Sequence, residues 1–147
     1  MSEPITFVIF GDPQAQKRHR HYQMKKAGGA GVQVRTYDPG AADKGDFLSI
    51  IQQNRPNVPW DGPLRVDINF FFARPKAHYR TGANSHLLRD NAPKWHISKP
   101  DRDNLDKFVL DAMKGIFFRD DSQVCSGSPK KMYDAVPRTE VRIMKLT

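Results

Sequence analysis

Lys99-Pro-Asp-Arg-Asp-Asn-Leu-Asp-Lys-Phe-Val-Leu-Asp-Ala-Met-Lys-Gly-Ile-Phe-Phe-Arg-Asp-Asp-Ser-Gln-Val124 decides how this chain is read. Leu105, Phe108, Val109, Ala112, Met113 and Ile116 recur at spacings of 3, 1, 3, 1 and 3. That is the apolar stripe of an α-helix. Pro100 favours an extended lead-in, Asp103 suits the N-cap, and Gly115 suits the C-terminal stop. Asp101 and Asp103 are thereby expected just before the helix, two residues apart and able to point the same way. On the polar face, Lys107 lies one turn beyond Asp103, and Asp111 one turn beyond Lys107.

The same stretch is anomalous in charge. The chain carries a net +8 over 147 residues, yet six of its sixteen acidic residues lie between Asp101 and Asp121. Crowded carboxylates either take up a proton or hold a cation, and hard oxygen donors select Mg2+ or Mn2+. Such an ion supplies an activated water for phosphodiester hydrolysis, with Lys107 set to stabilise charge developing on the phosphate. Three carboxylates meet only if the chain doubles back after Phe118 and brings Asp120 or Asp121 to the Asp101–Asp103 end of the sheet. Plainer readings stand beside this one. Asp103 also reads as a helix cap, Asp120-Asp121-Ser122 as a turn, and Lys107 with Asp111 as a surface pair worth roughly 0.3 kcal/mol.

Outward from the acidic stretch, the rest of the chain is basic. Gln14 to Tyr37 contains no acidic residue and carries Lys17, Arg18, Arg20, Lys25, Lys26 and Arg35 around Gly28-Gly-Ala-Gly31. It reads as a flexible loop or ribbon suited to gripping phosphates; its glycines match no nucleotide-binding fingerprint. Arg74 to Lys99 is a second basic stretch, long and irregular, with Tyr79 and Trp95 among its cations, as in contacts to single-stranded or distorted DNA. A surface lid over a tucked tryptophan is the plainer reading. All five histidines fall in these two stretches, and His19-x-His21 lacks the further ligands of a zinc site.

Ile5–Phe10 reads as a first strand and Ala41–Gln53 as a helix, with Gly45 weakening it. Arg65–Phe72 alternates as a strand, with Phe71 the exception. Its phenylalanines suit core packing better than base stacking. Val124–Tyr133 and Thr139–Leu146 read as two more strands, the last an edge. The length suits one domain, over 1–147, of α/β (α+β) class. A polyanion is the expected partner of so basic a chain. The single cysteine, Cys125, excludes an internal disulfide and reads as buried, in a reducing compartment such as the cytoplasm. No long apolar run is present, so neither a signal peptide nor a membrane span is expected.

Pro100-Asp-Arg-Asp-Asn-Leu-Asp-Lys107, Asp111-Ala-Met113 and Phe118-Arg-Asp-Asp-Ser-Gln-Val124 resemble the RusA family of Holliday junction resolvases. Ile5–Pro13, Lys17-Arg-His-Arg20 and Arg35-Thr-Tyr-Asp-Pro39 are similar to the opening of its phage and prophage members. The resemblance implies a mixed β-sheet with helices on one side, and a homodimeric, Mg2+-dependent endonuclease that cuts four-way DNA junctions by paired nicks. It implies metal-binding and catalytic aspartates at Asp101, Asp103 and Asp121, and an important lysine at Lys107. Lys17, Arg18, Arg20, Arg35, Lys99 and Arg102 are the expected DNA contacts, with residues 13–38 and 74–99 as the basic DNA-contacting loops. A symmetric dimer suits a two-fold substrate. A nucleic-acid-binding module with a structural acidic cluster, and a nuclease of other branched DNA, are the competing readings.

Overall fold

The computed structural model describes residues 3–17, 20–25, 32–37 and 41–147, with side chains described for 3–17 and 46–147. Strand β1 (Ile5–Phe10) pairs antiparallel with β7 (Arg138–Lys145), and β7 pairs antiparallel with β4 (Leu64–Ala73). On its other edge β4 takes β5 (Val124–Ser126) and then β6 (Pro129–Asp134), both parallel. The result is a five-stranded mixed sheet. Strands β2 (Arg20–Lys25) and β3 (Val32–Tyr37) form a separate antiparallel ribbon, from Arg20↔Tyr37 to Lys25↔Val32.

Alternation decides which face is covered. Phe7 and Ile9 of β1, Leu64, Val66, Ile68 and Phe70 of β4, and Val141 and Ile143 of β7 are all buried. Helices α1 (Ala41–Asn54) and α2 (Arg102–Met113) contribute Phe47, Ile51, Leu105, Phe108, Val109, Ala112 and Met113 to the same core. Phe47 meets Phe108 edge to face at 5.2 Å, and Phe7 stacks on Phe117 at 5.4 Å. Full burial of each larger side chain contributes about 2 kcal/mol. Both helices therefore lie on one side of the sheet, as the resemblance implies.

Five expectations are corrected. α2 begins earlier: Asp101 is its N-cap, extended at φ −70, ψ 149, and Asp103 lies inside the first turn. Pro100 constrains the residue before it rather than the one after, so the helix starts directly beyond Asp101. At its other end Lys114 is the C-cap and Gly115 turns the chain at φ +83; Ile116 lies outside the helix. β7 is interior, because it pairs with both β1 and β4. The strand expected over Val124–Tyr133 breaks at Gly127, whose φ is +105 and whose Cβ position would lie 2.0 Å from the Val66 carbonyl oxygen. Cys125 is exposed; it falls in the register shift between Leu64 and Arg65, which turns it away from the core.

The 74–99 segment is ordered by its own bonds. Lys76–His78 and Gly82–Asn84 are 3-10 turns. Arg80 N donates to Leu87 O (2.8 Å), and Arg89 N to His78 O (2.9 Å). Farther on, Tyr133 N donates to Lys94 O (2.9 Å) and His96 N to Lys131 O (3.2 Å), so residues 94–96 run antiparallel along the outer edge of β6. Trp95 is half exposed and is not tucked under a lid. Among the described residues no helix is long and apolar enough to cross a membrane.

Candidate functional site

The start of α2 gathers several of the residues expected to act on DNA. Asp101, Arg102, Asp103 and Lys107 are all exposed there. The Asp101 carboxylate makes no capping hydrogen bond, although the position usually recruits one. Asp101, Asp103 and Lys107 make no side-chain hydrogen bond or ion pair among the described residues. Lys99, also exposed, precedes the cis peptide to Pro100. The segment leaving β1 comes to the same place: Gln16 N donates to Asn104 O at 3.0 Å, which brings the exposed Lys17 beside the helix start. Arg20 and Arg35 lie on the two strands of the ribbon. Arg18 falls outside the described residues, as does His19 of the His19-x-His21 pair.

One further carboxylate was not singled out as a site residue in the sequence. Asp106 is half-buried on α2, and burial pushes its pKa up while Arg102, one turn earlier, partly opposes the shift. Its place between the buried Leu105 and Phe108 was the only signal in the sequence.

Asp120 and Asp121 sit elsewhere. α2 has 12 residues and is about 18 Å long at 1.5 Å per residue. The turn after it is fastened to the chain before β4: Trp60 N donates to Phe117 O (2.8 Å), and Gln123 Nε2 donates to Trp60 O (2.9 Å) and Gly62 O (3.0 Å). β5 then enters beside Leu64, the first residue of β4. Asp120 and Asp121 are thus at the C-terminal end of α2, whereas Asp101 and Asp103 are at its N-terminal end. The return that would bring either of the pair to the Asp101–Asp103 end does not occur within one chain. Among the described residues no three His, Cys, Asp or Glu side chains gather closely enough to hold a metal ion. The described residues of a single copy therefore do not make a three-carboxylate magnesium site.

The two neighbours of the Asp-Asp pair differ sharply. Asp120 accepts from Ser122 Oγ (2.5 Å) and Lys114 Nζ (2.9 Å), and these hold its carboxyl well below the usual range. Its backbone N–H donates to Gln123 Oε1 (3.0 Å). Asp121 is exposed and makes no side-chain hydrogen bond among the described residues. Asp120 is an anchor, whereas no neighbour among the described residues holds the Asp121 carboxylate.

The profile of the family described as Endodeoxyribonuclease RusA matches residues 11–144. The chain is 30% identical to "Uncharacterized protein YqaN" of Bacillus subtilis over 148 residues, covering 97% of each. It is 26% identical over 114 residues to "Crossover junction endodeoxyribonuclease rusA" of Lactococcus phage r1t, covering 75% of this chain and 77% of the phage protein. With the matched region running from the turn after β1 nearly to the end of β7, this chain belongs to the RusA family of endodeoxyribonucleases.

Proposed function

We propose that this chain resolves four-way DNA junctions by paired, symmetric nicks, as a Mg2+-dependent homodimer acting in the cytoplasm. The observation that carries the reading is the pair of uncommitted carboxylates, Asp101 and Asp103, with Lys107 one turn on and Lys99, Arg102 and Lys17 around them. In a chain of net charge +8, bare carboxylates beside cations suit a phosphate bridged by a metal ion. Magnesium, with Mn2+ as a substitute, would supply the water activation for phosphodiester hydrolysis.

The third carboxylate, Asp121, would come from a second copy. The polar side of α2 alternates in sign: Asp103, Lys107, Asp111, then Lys114 at its end. Two such helices packed antiparallel about a two-fold set Lys107 against Asp111 of the other copy, and Asp103 against the end that carries Lys114 and Asp121. A mixing experiment tests this. Asp103→Asn and Asp121→Asn chains, each inactive alone, regain one intact site per mixed dimer and nick single strands at about a quarter of the wild-type rate. Mixtures that stay inactive would place all three aspartates on one chain.

A second reading, a junction-binding module without catalysis, is favoured by the lack of three gathered carboxylates among the described residues of one chain. A labelled four-way junction, incubated with the protein with and without Mg2+, decides between them. Paired nicks in Mg2+ are expected, and binding without cleavage in either Mg2+ or Mn2+ would sink the nuclease reading. Flaps and other branched substrates in the same assay test selectivity. Asp103→Asn is expected to keep junction binding and lose cutting.

A further inference from the structure

Among the described residues no helix covers the sheet face opposite α1 and α2, and strand register fixes what that face displays. Phe10 is paired with Arg138, Arg138 with Phe71, Phe71 with Met132, and Met132 with Trp95. Directly opposed residues share a face, and this row alternates with the buried Ile9, Thr139 and Phe70. Phe10, Arg138, Phe71, Met132 and Trp95 therefore form one row across the bare face, about 19 Å long at roughly 4.8 Å per strand. Its two ends are open, with Phe10 71% and Trp95 51% exposed. Cations are interleaved with the rings: the Arg138 guanidinium lies 3.9 Å from the Phe71 centroid, and Lys94 Nζ lies 4.8 Å from that of Trp95.

Charge decides what this row suits. Each of the three acids described on this face is paired with an arginine of the same face: Asp67 with Arg65 (2.8 Å), and Glu140 (3.0 Å) and Asp134 (2.9 Å) both with Arg138. Lys130 and Arg142 have no ion pair among the described residues. With Lys94 they leave the surface net positive. A second copy packed sheet on sheet would set these unpaired cations against themselves, whereas a polyanion is attracted to them.

We infer that this bare face is a second nucleic-acid site, which binds an unpaired DNA strand without sequence preference. Its bases stack on Trp95 and Phe10, and its phosphates meet Lys94, Lys130 and Arg142. Aromatic faces accept any base, and flanking cations hold the backbone. The site is on the other side of the sheet from α2, so it is distinct from the aspartates and stands whether or not the chain cuts junctions.

The test is a titration of the intact chain with oligo(dT) in the absence of divalent metal, followed by tryptophan fluorescence. The chain has two tryptophans, Trp60 and Trp95, so Trp60→Phe and Trp95→Phe assign the signal. Quenching that survives Trp60→Phe and disappears in Trp95→Phe is expected. The double change Phe10→Ala with Trp95→Ala is expected to weaken oligo(dT) binding at least about tenfold and to leave duplex binding and the circular dichroism spectrum unchanged. Val58→Ala, on the exposed connector before β4, serves as a control with no effect. A strand carrying iododeoxyuridine is expected to crosslink to Trp95 or Phe10. Unchanged oligo(dT) affinity in the double variant, or crosslinks confined to α2 or the ribbon, overturns the inference. So does a wild-type dimer that Phe10→Lys dissociates, since that gives the face to a second copy. Wild-type protein that binds oligo(dT) but leaves junctions whole sinks the proposed function alone.

Discussion

Lys114 Nζ and Asp120 Oδ1 lie 2.9 Å apart, and this ion pair ties the end of α2 to the turn that precedes β5. Lys114 also feels the charges of Asp121 and Asp111. The lysine thus fixes Asp120, the residue directly before Asp121.

The two aspartates are expected to separate cleanly by thermal melting. Asp120→Asn loses the full charge facing Lys114 and weakens the bond with Ser122, so it lowers the melting temperature at neutral pH. Because Asp120 is held below its ordinary value of 3.8, its contribution is complete above that pH and is lost as acid protonates it. Wild type and variant therefore converge in strong acid. Asp121→Asn is expected to melt like wild type without metal and to lose any rise in melting temperature on adding Mg2+. Equal melting of Asp120→Asn and wild type at pH 7 would remove the anchor role.

His96 gives the 74–99 segment a pH response. Its ring stacks on Phe72 at 3.8 Å and meets Tyr133 at 5.0 Å. Burial, helped by the charge of Lys131, lowers its pKa below 6.5, while its own backbone partly opposes the shift. Other titratable groups close to this packing are His78, edge-on to Tyr133 at 4.7 Å, and Arg74, above the same ring at 5.7 Å. A base with a lowered folded pKa binds its proton more readily when unfolded. Stability is therefore full above the ordinary value and declines as pH falls below about 6.5. Faster amide exchange at Tyr133, which donates to Lys94 O, is expected at pH 5.5 relative to pH 7.5 after correction for intrinsic rates. His96→Phe is expected to keep the stack and flatten that response.

Two glycines are expected to respond differently to alanine. At Gly127 the new Cβ would strike the Val66 carbonyl oxygen, at a φ of +105, so neither strain nor overlap is relieved without breaking β4 from β6. A loss of about 3 kcal/mol or more is expected by urea unfolding. Gly115 has φ +83 and nothing within 4 Å of its Cβ position, so only the left-handed backbone is penalised, at about 1 kcal/mol. Equal losses would show that the approach to Val66 is not tight.

Neutralising Lys17, Arg18 and Arg20 together is expected to weaken junction binding for all sequences. The slope of log affinity against log salt should fall by about 0.9 for each phosphate contact removed. An unchanged slope would take this arm out of the interface.

The apolar stripe of α2 was legible because a helix must repeat its core face, and Leu105, Phe108, Val109, Ala112 and Met113 are all buried. The alternation of β4 was legible for the same reason. Its exception, Phe71, turned out to lie on the bare face beneath Arg138. The interior position of β7 was not legible, since strand order rests on pairings across the whole chain and not on local pattern. Nor was the separation of Asp101 and Asp103 from Asp121. Helix length was readable, but the end of β4 that receives β5 was not, and that end fixes where Asp121 falls. The difference between Asp120 and Asp121 needed Lys114 and Ser122 in place; in the sequence the two are equivalent neighbours.

Cys125 is the chain's one thiol, and its exposure makes it a ready attachment point for a reporter. A nitroxide there sits four residues beyond Asp121 without altering the chain. In a two-fold assembly each label has a single mate, so dipolar spectroscopy would return one distance between the two copies and show how it changes when a junction is bound.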